Sequence, residues 1–313
     1  MSVESSARLA DVGGMFASFN VRAIGRSSSA SDAIELAAST GFGGVDLLMV
    51  DLDRSGEDPA RLRARMDELG LRGGAWPLPI NWKADEATYR RDLRELPRLA
   101  GLARELGLTR TGTWVLTGLP PSDLGPADQR REAFEFHVRR LGAIARILED
   151  QGTRLGLEVI GVESSRPAGA LPYIQRMGDE ELSLIIEALD AYAPSIGVLV
   201  DAFHLYAAGE ENSVALRYGV DRVTWVHVAD LPEGGRVGRS EIVDENRGLP
   251  GIRGAVDSAG LLGLLADAGY DGPVTAEPLS RCTELVGLSE EAAARSVLES
   301  LRRIWPTPGT LRR

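Results

Sequence analysis

The sequence predicts an α/β fold in which 313 residues close into one (β/α)8 barrel, the TIM barrel. Three observations predict it. Short apolar, β-branched runs alternate with longer segments of helical spacing, at roughly 30–45 residues per strand-helix unit. Four helix-to-strand joints carry a glycine just past the helix, Gly41, Gly70, Gly107 and Gly269, where a left-handed conformation ends the helix without a Cβ clash. The stretch after the first strand, Asn20-Val21-Arg22-Ala23-Ile24-Gly25, lacks the glycine-rich turn of the rival doubly wound sheet. No linker or change of composition marks a second domain. Residues 1–313 therefore read as a single domain with short tails, the last at Pro306 to Gly309.

The strand runs are Met15–Ile24, Gly44–Val50, Leu71–Leu78, Arg110–Thr117, Arg154–Ile160, Ile196–Phe203, Val223–Ala229 and Pro273–Ala276. Helical spacing covers Ser31–Ser39 (with Ser31-Asp32 as a candidate cap), Pro59–Leu69, Glu86–Leu106, Ala127–Asp150, Asp179–Ala191, Glu210–Arg217, Ser258–Ala268 and Ser289–Ile304. Gly41, Gly43 and Gly44 precede a strand, whereas a phosphate cradle follows one, so they are structural glycines.

Composition narrows the chemistry. A net charge of -11 and a pI near 5.0 weigh against nucleic acid or an anionic membrane, which call for a basic face. No run approaches the roughly 20 apolar residues of a membrane span, and the N-terminus has no signal-peptide pattern. The expected location is the cytoplasm. Cys282 is the only cysteine, which excludes internal disulfides and cysteine-based zinc clusters. Lys83, in the polar stretch Asn-Trp-Lys-Ala-Asp, is the only lysine and so the only Schiff-base candidate. Neither a P-loop nor a Gly-x-Ser-x-Gly elbow occurs.

In a barrel the side chains at the C-terminal strand ends share one pocket. Strand five carries Glu158, strand six Asp201, strand seven His227 and strand eight Glu277. Each alone could be a cap or a loop contact. Together, three carboxylates in one pocket would repel and lose hydration, and a divalent cation removes both problems. Mostly oxygen donors with one imidazole suit Mn, Mg or Co.

The segments LGLEVIG (155–161), VLVDAFH (198–204), WVHVAD (225–230), ENRGLPG (245–251) and VTAEP (274–278) resemble the xylose isomerase-like family of TIM barrels, the sugar phosphate isomerases and epimerases. The resemblance implies Glu158, Asp201, His227 and Glu277 as ligands of one divalent metal ion. It implies His204 as a substrate contact, where the alternative is a loop histidine bonded to a backbone carbonyl. It also implies Arg247, in Arg-Gly-Leu-Pro-Gly, as a holder of substrate oxygens. Ketose 3-epimerases of the family carry a further glutamate where this chain has Ser164, with Glu163 beside it. The strand-seven loop, Leu231 to Val256, is long and charged. Both departures concern the substrate, not the metal.

The chemistry expected is proton abstraction next to a carbonyl through a metal-stabilised enediolate, in a sugar isomerase or epimerase. Glu158 and Glu277 are expected to serve as acid and base on opposite faces of the substrate. The alternative is a lyase or dehydratase that eliminates a group β to the keto carbon of a 3-keto sugar or glycoside. An abasic-site endonuclease shares the barrel but needs more histidines than His137, His204 and His227 and a grip on DNA. A barrel kept only for binding has no use for the four strand-end groups.

Trp114 and Trp76, ending strands four and three, are each either core or a platform for an apolar sugar face or aromatic aglycone. Phe19 and Asn20 end strand one at the same mouth. His137 reads as helix packing, Asp230 as either an orienter of His227 or a loop carboxylate. The arginines from Arg90 to Arg104 read as an ion-paired helix face. The expected partner is a small unphosphorylated carbohydrate, with no nucleic acid and no membrane. The resemblance implies a homo-oligomer or pairing with another subunit.

Overall fold

The structure, a computed structural model, describes residues 8–232 and 238–307. The first seven residues, Pro308 and Gly309 of the expected tail, and residues 233–237 of the strand-seven loop lie outside the described residues.

Parallel pairing runs through the whole sheet. The first strand, Phe16–Phe19, pairs with the second, Gly44–Val45, and with the eighth, Pro273–Ala276. From the eighth the order continues through the seventh (Val223–Val228), sixth (Gly197–Asp201), fifth (Arg154–Glu158) and fourth (Arg110–Trp114). The third strand comes in two pieces. Arg72–Gly73 pairs with the second strand, and Trp76–Pro77 pairs with the fourth. The two ends of the nine-stranded sheet are thus one continuous stretch of chain, and the sheet closes there as an α/β barrel.

That closure depends on Gly74, because an added Cβ would stand 2.0 Å from Asp46 Oδ1 and 2.2 Å from Ser18 Oγ. The buried Asp46 carboxylate accepts hydrogen bonds from Ser18 Oγ (2.6 Å), Ala75 N (2.8 Å) and Thr275 Oγ1 (2.6 Å). Burial pushes the Asp46 carboxyl up, and these three donors work against it. Ala75, Leu199 and Trp225 form a small apolar cluster, apart from the large core between sheet and helices.

Helices Ala30–Thr40, Pro59–Leu69, Glu86–Glu105, Pro126–Asp150, Glu180–Leu189, Ser258–Ala268 and Glu290–Ile304 match the expected segments within two residues at each end. The four joint glycines all have positive φ, as their positions require. Three details differ. Ser29, not Ser31, caps the first helix, through Asp32 N. The apolar run Gly44–Val50 turns into a short helix at Met49–Ser55. The sixth strand stops at Asp201 and a helix, Ala202–Ala208, starts at once; the expected helix 210–217 is a 3-10 turn, Asn212–Leu216. Asp201 itself causes the switch, since its Oδ1 accepts Phe203 N at 2.7 Å as a helix cap. No helix among the described residues is long and apolar enough to cross a membrane.

Candidate metal centre

Glu158 and Asp201 are the last residues of their strands, His227 is next to last, and Glu277 follows its strand directly. Parallel pairing brings neighbours level: His227 faces Asp201 on one side and Thr275 on the other. His227 Nδ1 consequently lies 3.3 Å from Glu277 Oε2 and 3.7 Å from Glu158 Oε1. Potential donor atoms of Asp201, His227 and Glu277 lie within 4.8 Å of one another, and so do those of Glu158, Asp201 and His204. The structure brings together all four strand-end groups that the sequence singles out.

Their electrostatics are those of charges held close in a dry place. Burial pushes the Asp201 carboxyl up, but the Arg247 guanidinium and the imidazoles of His204 and His227 outweigh it and hold it down at about 2. Burial likewise opposes ionisation of Glu277, and His227 and Arg247 prevail to keep it below the usual range. His227 is the converse case: burial pushes it down, while Glu277 and Glu158 raise it well above an ordinary imidazole.

Among the described residues, three buried polar atoms here have no hydrogen-bond partner: His204 Nδ1 and both ring nitrogens of His227. An orphaned ring nitrogen facing two carboxylates, as His227 Nδ1 does, is what a cation site leaves when its protein atoms alone are counted. Three carboxylates and an imidazole on four neighbouring strands fit a divalent cation in number and chemistry.

Arg247 is buried in the middle of this group. Its Nη1 donates to Asp201 Oδ2 at 2.7 Å and Glu277 Oε2 at 3.1 Å, and its Nη2 donates to Asp244 Oδ1 at 2.6 Å. Nη2 also stands 3.1 Å from His204 Nε2. His204 therefore belongs to the first turn of a helix inside the site, not to a loop. The segment carrying Arg247 is anchored by Asp230, whose buried carboxylate accepts the backbone amides of Leu231, Arg253, Gly254, Ala255 and Val256. Asp230 is thus a loop carboxylate.

The aromatic candidates separate. Trp76 is core, its indole donating to Leu108 O. Trp114 is 53% exposed and pairs in register with Glu158 at the mouth. Phe19 packs on Phe42, and Asn20 accepts the amides of Arg22 and Ala23. His137 packs in a helix: Nδ1 bonds Ala133 O, Nε2 accepts Leu116 N, and burial pushes it down to about 4. Several of the helix arginines, Arg90, Arg91 and Arg98, are ion-paired as expected. Two groups escape a reading of strand ends because loops supply them. Asp244 holds Arg247, and Lys83, expected in a polar stretch, is half-buried over Trp114 and near Trp82.

Known proteins share this architecture. A xylose isomerase domain protein from Alicyclobacillus acidocaldarius subsp. acidocaldarius is 28% identical, with a TM-score of 0.75 over 93% of this chain and 98% of that one. The IolI protein, solved with a binding zinc atom, has a TM-score of 0.73 at 18% identity, covering 93% and 98%. D-allulose 3-epimerase from Methylomonas sp., in complex with D-allulose, gives 0.60 at 16% identity over 96% and 100%. No curated protein matches the sequence. The profile described as xylose isomerase-like TIM barrel matches residues 34–304, and the chain belongs to that family.

Proposed function

We propose that the chain is a divalent-metal-dependent sugar isomerase or epimerase, with Glu158, Asp201, His227 and Glu277 as ligands of one Mn, Mg or Co ion. The observation that carries this reading is the convergence of three carboxylates on a histidine whose ring nitrogens are buried without hydrogen bonds. The structural neighbours that are sugar 3-epimerases support it, as does the zinc bound by IolI. A divalent cation held there supplies the Lewis acidity that polarises a substrate carbonyl and eases loss of the adjacent proton.

The chain's own residues then divide the work. Glu158 and Glu277 come from strands on opposite sides of the His227 strand and both approach its Nδ1, so a sugar seated between them would present opposite faces to the two carboxylates. One takes the proton from carbon, and the other returns a proton on the far face, which inverts the centre. His227 and Arg247 hold Glu277 below the usual carboxylate range, so it is ionised at neutral pH, the form in which it can accept a proton. His204 offers its unpartnered Nδ1 to a substrate oxygen, Arg247 reaches one by giving up a present carboxylate partner, and the exposed Trp114 indole stacks on a ring.

Position 164 keeps a second reading open. Ser164 Oγ donates to Ile242 O at 3.2 Å, so this turn offers no carboxylate at the position where ketose 3-epimerases have one. A lyase or dehydratase acting on a 3-keto sugar or glycoside starts with the same deprotonation and then expels a β substituent. The partner proposed in either case is an unphosphorylated carbohydrate, with no nucleic acid or membrane, in a homo-oligomer or paired with another subunit.

The test is a panel of ketoses and 3-keto glycosides, incubated with metal-loaded protein in deuterated water and followed by NMR. Deuterium at a carbon next to the carbonyl supports the reading, with conserved mass for epimerisation and lost mass for elimination. No exchange in any member with Mn, Mg or Co contradicts it.

A further inference from the structure

Lys83 is the only lysine in the chain, and it lies in the loop between the third strand and helix Glu86–Glu105, on the side of the barrel where the strands end. Its ammonium stands 4.3 Å above the Trp114 ring and 5.5 Å from that of Trp82. Trp114 pairs in register with Glu158, so the lysine flanks the candidate metal centre on its Glu158 side. Among the described residues it makes no ion pair or hydrogen bond; two aromatic faces contact it, and Glu158 attracts it from farther off. Arg247, the other cation of the mouth, is saturated by Asp201, Glu277 and Asp244.

A half-buried cation with no counter-ion in contact is costly, and an exposed aromatic beside it offers only part of the compensation. What completes such a subsite is a ring to lie on the indole and an anionic oxygen to meet the ammonium. We propose that Lys83 and Trp114 form a substrate subsite for a carboxylate-bearing sugar, with the carboxylate on Lys83 and the sugar ring on Trp114. The inference rests on the reading that this mouth holds a carbohydrate, and it adds the acid group that the carbohydrate carries. A neutral hydroxyl would bond the ammonium but leave its charge unmatched, whereas a carboxylate forms a charge-assisted bond. Burial already drives the Lys83 ammonium down to about 8, with Glu158 pulling the other way, which marks the strain that an incoming anion relieves.

The experiment is calorimetric titration of the manganese-loaded full chain with D-fructuronate and with D-fructose, a pair that differs in the acid group. The expected result is at least tenfold tighter binding of the acid at low salt. That preference falls to less than threefold in Lys83→Met and in Lys83→Gln, and survives in Lys83→Arg. Equal binding of the two sugars, binding of neither, or an undiminished preference in Lys83→Met and Lys83→Gln overturns the subsite. Proton exchange separates this from the broader reading. A binding preference with no deuterium incorporation in any sugar of the panel sinks the epimerase and leaves the subsite; exchange into D-fructose with no preference for the acid does the reverse.

Discussion

Arg247 Nη1 donates to Asp201 Oδ2 at 2.7 Å, in a pair so buried that neither side chain meets solvent appreciably. The same nitrogen reaches Glu277, so the guanidinium neutralises two of the carboxylates that are the proposed metal ligands. Removing one partner of a buried pair leaves the other charge uncompensated, at a cost of about 3–5 kcal/mol. Arg247→Met is therefore expected to lose that order of stability in chelator. Much of it should return with excess Mn2+, because the cation supplies charge to the same oxygens. Thermal melts of both proteins with chelator and with manganese measure this. An equal deficit under both conditions would separate the arginine from the metal site.

Glu158→Gln and Glu277→Gln keep the shape of the side chain and remove its charge and basicity. Each is expected to weaken manganese binding and to slow exchange by about 10²–10⁴-fold even at saturating metal, the range for loss of a general acid or base. Calorimetry and NMR exchange read the two effects separately. Near-wild-type exchange in either variant would remove that glutamate from the acid–base pair.

His137 sets a pH dependence of its own. Burial holds its folded pKa at about 4, below the unfolded value near 6.5, so between those values the unfolded chain binds a proton that the folded chain does not. Stability from this group is thus full above about pH 6.5 and falls as pH drops toward 4, by about 1.4 kcal/mol per pH unit. Denaturant unfolding at pH 6.5 and 4.5 should show a slope shallower by about one proton in His137→Gln than in the wild type. Identical slopes would show that His137 does not contribute.

Gly74 is the hinge of barrel closure. Gly74→Ala places a methyl against Asp46 and Ser18, and overpacking of this kind costs roughly 1–3 kcal/mol. A drop in denaturation midpoint for Gly74→Ala is the expected outcome, and an unchanged midpoint would show that closure does not require the missing side chain.

The eightfold pattern was readable because most surface helices show an apolar stripe and because Gly41, Gly70, Gly107 and Gly269, all at positive φ, mark helix-to-strand joints. The site was readable for a related reason. Glu158, Asp201, His227 and Glu277 interrupt or end apolar strands, and a charged group there is visible against its surroundings. Helix Ala202–Ala208 was not readable, since Ala-Phe-His-Leu-Tyr continues the apolar run of the strand and is nearly all buried, leaving no polar face to show a period. The split third strand was hidden because it depends on a tertiary contact, the Asp46 carboxylate against Gly74. Asp244 and Lys83 lie in loops, where no period places a side chain.

The most direct measurement is an anomalous difference map from a crystal of the manganese-loaded protein. One strong peak, roughly 2.0–2.2 Å from one atom each of Glu158, Asp201, His227 and Glu277, is the predicted result. No peak at this end of the barrel, or one that leaves any of the four uncoordinated while Arg247 keeps its bonds to Asp201 and Glu277, would contradict it.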